Sequence, residues 1–318
     1  MLRQGDLHLD SASALSLGKR DCQEDAVIAD FPVGGRVGLA VLSDGMGGHA
    51  AGDVASKIVI TEVFSELKLR SGDVSVADAA ICELLRAAAN GANDCLRAYT
   101  EQYPDTAGMG ATLVAACVQR NRMHWISIGD SVLFLFRDEK LQQLNEDHSF
   151  GSKIDEMVRT GQIPQELAED YPDRNCLTSV VSGAEIARVD CPEAGLDLRD
   201  GDIVVLASDG LQFLEGQHIR AILQQSREKT SGEIAARFLE EIEHLGDPDQ
   251  DNVSIVVLKV RDPKATCRDL SSVQTQSLRC KKQTVDAVAA LRRPGPPAKE
   301  VQPEPPKNWV ELVGGHVR

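Results

Sequence analysis

Four aspartates stand where apolar, strand-like runs begin or end. Residues 37–42 run into Ser43-Asp44-Gly45, and residues 203–207 run into Ser208-Asp209-Gly210. Residues 125–128 are followed by Gly129-Asp130, and Asp251-Asn252 opens the run 253–258. A buried strand is a rigid mount, so a carboxylate at its end is held in a fixed place. Several carboxylates at one sheet rim repel one another unless a cation lies between them. Oxygen-only ligands select hard cations, meaning magnesium, manganese or calcium rather than zinc. The pattern predicts a metal-dependent hydrolase. Gly45-Met46-Gly47-Gly48 adds a tight turn that would let a main-chain carbonyl join the metal ligands. Arg20, shortly before Glu24-Asp25, adds a guanidinium able to clamp a phosphate in bidentate fashion.

These groups need elements to carry them. A strand pair is expected over residues 26–30 and 36–42, after a short lead. A long helix follows, with Ala55, Val59, Val63 and Leu67 stacked one turn apart. A second helix is expected over residues 76–100, with Ile81, Leu85, Ala88, Ala92, Cys95 and Tyr99 in one stripe. Strands return at 111–118, 122–128, 132–137 and near Leu141, joined by the turn-like Gln119-Arg120-Asn121 and Asp138-Glu139. Residues 145–182 are polar and irregular, with a short helix over 153–160 and a strand resuming at 177–181. Further strands are expected at 201–207 and 253–260, with helices over 215–225 and 231–245. Strands and helices segregated in this way predict an α+β fold with two antiparallel sheets covered by helices on each side.

Charge is uneven along the chain. Residues 1–261 carry 24 Lys+Arg against 43 Asp+Glu, and residues 262–318 carry 10 against 6. An acidic body repels a phosphate backbone, which argues against nucleic acid as a partner. The eight cysteines show no C-x-x-C pair, as expected for reduced thiols. No apolar stretch reaches the ~18 residues that cross a bilayer, and no leader-like apolar run opens the chain, so a cytoplasmic protein without membrane association is expected. Seven of the 13 prolines fall after residue 262. Residues 262–318 therefore read as a Pro-rich basic tail outside a catalytic domain of residues 1–261. A short helix over 281–293 and an apolar patch, Trp309-Val310-Glu311-Leu312-Val313, are the tail's features.

Seven stretches, in order, resemble the metal-dependent serine/threonine protein phosphatases of type 2C, the PPM family, in their bacterial form. They are Gly18-Lys19-Arg20-Asp21-Cys22-Gln23-Glu24-Asp25-Ala26, Ser43-Asp44-Gly45-Met46-Gly47-Gly48-His49, Gly108-Met109-Gly110-Ala111-Thr112, Ile128-Gly129-Asp130-Ser131, Leu177-Thr178-Ser179, Ala207-Ser208-Asp209-Gly210 and Asp251-Asn252-Val253-Ser254. The resemblance implies a four-layer α-β-β-α sandwich with a centre of two Mn²⁺ or Mg²⁺ ions at one rim and a weaker third ion. By motif position Asp44 would bridge the pair, with the Gly45 carbonyl on one ion and Asp209 and Asp251 on the other. Asp130 would help hold the third ion. Glu24 and Asp25 would accept hydrogen bonds from water around the metals, Arg20 would bind phosphate, and residues 145–182 would form a flap beside the site.

Two departures stand out. Gln23 replaces the usual asparagine, and Met46 stands where eukaryotic members carry a histidine. The implied activity is hydrolysis of phosphoserine and phosphothreonine in proteins, opposing a serine/threonine kinase, by a monomer. Two rival readings remain at this level. One is a nucleotide-binding oxidoreductase, from Gly45-Met46-Gly47-Gly48-His49-Ala50, although Asp44 would repel a pyrophosphate. The other is a non-catalytic phosphoprotein-binding scaffold of the same fold.

Overall fold

The computed structural model describes residues 7–32, 37–48, 50–71, 77–169, 171, 174 and 176–262. His49, the expected helix over 281–293 and the Trp309 patch lie outside them.

The first described strand, β1 (His8–Ser16), was expected only as a short lead. Its serines and alanines have weak strand preference, yet it pairs along its whole length with the last strand, β11 (Val253–Arg261). Next come β2 (Asp25–Asp30), β3 (Val37–Met46), and helices α1 (Ala50–Arg70) and α2 (Asp78–Gln102). The meander follows as β4 (Gly110–Ala111), β5 (Leu113–Gln119), β6 (Arg122–Ile128), β7 (Val132–Arg137) and β8 (Lys140–Gln143). Turns fall where the sequence places them, but Gln119 belongs to β5; Arg120-Asn121 and Asp138-Glu139 take positive φ and each closes a tight two-residue hairpin. Then come α3 (Phe150–Arg159), α4 (Gln165–Glu169), β9 (Leu196–Asp197), β10 (Ile203–Ala207), α5 (Gly216–Gln225) and α6 (Ser231–Leu245).

One sheet runs β1-β11-β10-β7-β8 and the other β2-β3-β5-β6-β9, with β4 beside β3. Every named strand pair is antiparallel. Side chains alternate across a strand, and that alternation sorts the core into three layers. Leu39 and Val41 face α1 and α2, meeting Val59, Val63, Leu67, Leu85 and Leu96. Ala40 and Leu42 face the other way, into the layer between the sheets with Val114, Trp125, Leu135, Val204, Leu206 and Val256. Val205 and Val257 in turn face α5 and α6, against Ile222, Ile234, Phe238 and Ile242. Strands buried on both faces explain why these runs read as nearly continuous hydrophobics, and the result is the α-β-β-α sandwich. Among the described residues no helix is long and apolar enough to cross a membrane.

Two expected strands are corrected. The run 111–118 is broken at Thr112, between β4 and β5. There the Thr112 N–H and hydroxyl serve Asp44. Residues 177–181 form no strand, only single bridges, Leu177 to Ser149 and Val181 to Ala111. The Thr178 hydroxyl turns to the His148 carbonyl and the Ser179 hydroxyl to Arg188, which removes them from any ladder.

Candidate functional site

The expected site residues come from both sheets and meet at one rim. Asp44 lies within β3 rather than at its end, because β4 extends the pairing through Gly45 and Met46. Asp25 opens β2 directly opposite Asp44 in the ladder. Asp209 opens the turn after β10, Asp251 precedes β11, and Asp130 follows β6. The sheets are joined here by a buried contact: the Ser208 hydroxyl donates to Asp25 Oδ2 at 2.7 Å and accepts from the Ser254 N–H at 2.9 Å.

Gly45 is fixed by space. A Cβ there would lie 2.0 Å from the Gly52 carbonyl oxygen, and its N–H donates to the Glu24 carbonyl at 3.1 Å. The tight β3–α1 turn thus brings the start of α1 against the acidic rim. Glu24 donates its N–H to Asn252 Oδ1 at 2.7 Å, and its carboxyl group packs against Gly52. Met46, which ends β3, is 40% exposed.

Electrostatics show how crowded the rim is. Burial, then repulsion from Asp25, Asp209, Asp130 and Asp251, drives the Asp44 carboxyl well above its usual value. Burial pushes Asp209 up to about 7, with Asp130, Asp251 and Asp25 adding to it. Burial raises Asp25 to about 6, and burial with the Asp147 charge raises Asp130 to about 6. The Arg20 guanidinium reaches this rim and is already engaged: it donates to Asp251 Oδ2 at 2.5 Å. Among the described residues no three acidic, histidine or cysteine side chains already close into a metal cage. The donor set nevertheless suits a hard cation. It is made of carboxylates that desolvate and repel one another, and Asp25 Oδ1 and Asp209 Oδ1 are buried with no hydrogen-bond partner. The Arg20–Asp251 pair and the convergence of Asp25 on Ser208 span the whole sequence, so no local pattern announces them.

Thr112 has a role here that its motif does not reveal. Its hydroxyl accepts from the Asp44 N–H at 2.9 Å and bonds the Ser131 hydroxyl at 2.8 Å, while Ser43 donates to its carbonyl at 2.6 Å. One side chain thereby ties the Asp44 strand to the Asp130 loop. Thr112→Val keeps the shape but leaves both groups without a partner, for an expected loss of about 1–3 kcal/mol. Urea denaturation in the presence of a chelator measures it, and Thr112→Ser, which keeps the hydroxyl, should recover most of the loss. Equal stability of Thr112→Val and wild type would rule out this role.

Beside the rim, Asp130, Asp147, Ser149, Arg174, Asp209 and Gln212 line a cavity of about 350 Å³. Its far wall comes from residues 147–155 and Arg174; there Phe150 packs on Tyr171 and Arg174 holds Asp155 at 2.8 Å.

Comparison with known proteins agrees with this architecture. Residues 17–250 match the protein phosphatase 2C family. The chain is 35% identical over 227 residues to the serine/threonine protein phosphatase PstP of Mycobacterium tuberculosis, covering 70% of this chain and 40% of that protein. It therefore spans well under half the length of that relative. It is 31% identical over 234 residues to the serine/threonine phosphatase stp of Listeria monocytogenes, covering 73% of this chain and 88% of that one. The crystal structure of M. tuberculosis PstP/Ppp superposes with a TM-score of 0.67 at 33% identity, over 80% of this chain and 99% of that one. The PstP catalytic domain in complex with two manganese ions gives 0.64 at 32% identity, over 80% of this chain and 100% of that one. Sequence, sandwich and acidic rim converge, and the chain belongs to the protein phosphatase 2C family.

Proposed function

We propose that this chain hydrolyses phosphoserine and phosphothreonine in proteins, using two Mn²⁺ or Mg²⁺ ions and a weaker third, and that it opposes a serine/threonine kinase. The observation that carries the proposal is the convergence of five carboxylates from both sheets on one rim, beside the exposed Arg20. Asp44, the Gly45 carbonyl, Asp209 and Asp251 would hold the paired ions, and Asp130 the third. When bound, the ions supply positive charge to phosphate oxygens and acidify water at the site. Asp25 is held by Ser208 through Oδ2, and its other oxygen, Oδ1, would accept a hydrogen bond from water at the site. Glu24, next to it in sequence, packs its carboxyl group against Gly52 and would accept from water around the ions. Arg20 is 55% exposed and paired only at the surface, so it can turn to phosphate without opening the core. The catalytic unit is residues 1–261, with residues 145–182 as its flap; it acts in the cytoplasm as a monomer.

The test is initial-rate hydrolysis of a phosphothreonine peptide with and without Mn²⁺, for wild type and Arg20→Ala. Metal-dependent turnover is expected, with kcat/KM about 10–100-fold lower in the variant, the value of a charge-assisted hydrogen bond pair. A folded, Mn²⁺-binding protein that turns nothing over would instead be a phosphoprotein-binding scaffold.

A further inference from the structure

His148 is an imidazole that the proposed chemistry does not use, and its side chain is completely buried. It sits near the start of the segment 145–182 and is bonded to two separate loops. Its Nδ1 accepts from the Gly129 N–H at 3.2 Å, and its backbone N–H donates to the Gly129 carbonyl at 3.0 Å. On the other side its carbonyl accepts from the Thr178 N–H at 2.7 Å and the Thr178 hydroxyl at 2.8 Å. The neighbouring Ser149 caps α3 and bridges to Leu177. One residue therefore fastens both ends of that segment to the loop that carries Asp130.

Gly129 cannot be steadied by a side chain of its own. It takes φ 105°, and a Cβ there would lie 2.7 Å from Thr112 Cγ2. Its N–H is held by the ring nitrogen instead. An accepting Nδ1 requires the ring proton on Nε2 and a neutral imidazole. Burial, reinforced by the Arg188 charge, lowers the pKa of this histidine and favours that form.

We propose that His148 is a positioning residue: by clamping Gly129 it aims the Asp130 carboxylate, and through Thr178 it makes that aim depend on the seating of the segment 145–182. The proposal rests on the reading of Asp130 as a ligand of the weaker third ion. Asp130 cannot be aimed by packing alone, since its own carboxylate opens on the cavity shared with Asp147 and Asp209.

The test compares wild type, His148→Leu and His148→Asn. Leucine keeps bulk without an acceptor, whereas asparagine restores an acceptor at the δ position. Hydrogen exchange at the Gly129 amide should be slow in wild type, at least about 10-fold faster in His148→Leu, and largely restored in His148→Asn. Mn²⁺ titration followed by water-proton relaxation should show the weakest site about 10-fold weaker in His148→Leu only, with the tighter sites unchanged. Should the leucine variant not fold, His148→Gln, whose acceptor lies one bond too far, takes its place with the same expectations. Unprotected Gly129 in wild type overturns the proposal. So does an asparagine variant as defective as the leucine one, or weakest-site affinity equal in all three proteins. Neither readout needs turnover, so a wild type without phosphatase activity would sink the reading of the reaction and leave this test standing.

Discussion

Replacing Asp209 with asparagine is expected to remove metal-dependent turnover while making the metal-free protein harder to melt. The carboxyl of Asp209 is pushed up to about 7 by burial and by the charges of Asp130, Asp251 and Asp25. Above that pH the folded protein holds a repelling anion whose Oδ1 is buried with no hydrogen-bond partner. An amide of the same shape removes the repulsion and can donate to the neighbouring carboxylates. It also removes a negative ligand, which should cost at least about 10²-fold in kcat/KM. Each kcal/mol of repulsion relieved should raise Tm by about 2–4 °C in a domain of this size. The pair of measurements is peptide hydrolysis at saturating Mn²⁺ and thermal unfolding in EDTA at pH 8. Such opposite signs mark a residue kept for function at the expense of stability. A variant that is both active and less stable would make Asp209 a structural residue.

Stability of the metal-free protein should fall as the pH rises from about 4 to about 7, and manganese should reverse the trend. In the unfolded chain these aspartates ionise near 3.8, whereas in the folded chain Asp25 and Asp130 titrate at about 6 and Asp209 at about 7. Across that window the folded state binds more protons than the unfolded one. Raising the pH therefore favours unfolding. Below 3.8 both states are protonated and the stability is fully present; it is lost as each folded carboxyl ionises. The slope is at most about 1.4 kcal/mol per pH unit for each group, and less for the cluster because the carboxylates share protons. Urea midpoints at pH 5 and pH 8, with EDTA and with excess Mn²⁺, give the answer. A midpoint in EDTA that climbs with pH would contradict the crowded rim. With the metal present, the ordinary preference for neutral pH should return, because the ion binds only the ionised ligands.

Much of this was legible in the residues. The β3 run alternates Leu39 and Val41 with Ala40 and Leu42, and the structure sends the first pair to the helices and the second to the sheet interface. The stripe Val59, Val63, Leu67 gave α1 its buried face. Asn121 and Asp138 mark the two hairpin turns, being residues that tolerate the positive φ found there, while Arg120 and Glu139 take it alongside them. These features are local: a period or a turn residue carries its own physical reason. The aspartates at run ends were legible for the same reason, since a polar group that follows an apolar strand marks the rim.

Other features depended on which distant segments became neighbours. β1 has no strong strand composition, and its partner β11 lies at the other end of the catalytic unit. The break at Thr112 exists because its hydroxyl meets the Asp44 N–H, and the failed strand at 177–181 because Thr178 and Ser179 find partners elsewhere. Arg20 reads as a phosphate clamp from its motif, yet in the fold it first meets Asp251. His148 shows no periodicity at all that would set it apart from a core histidine. The layers, the turns and the carboxylate inventory follow from local residue patterns, because burial and turn chemistry act over a few residues. Which carboxylates crowd one another, and which side chains hold them, follows from the way the two sheets pack. Desolvation and charge repulsion depend on distance in space, and that distance is set by strand order rather than by position along the chain.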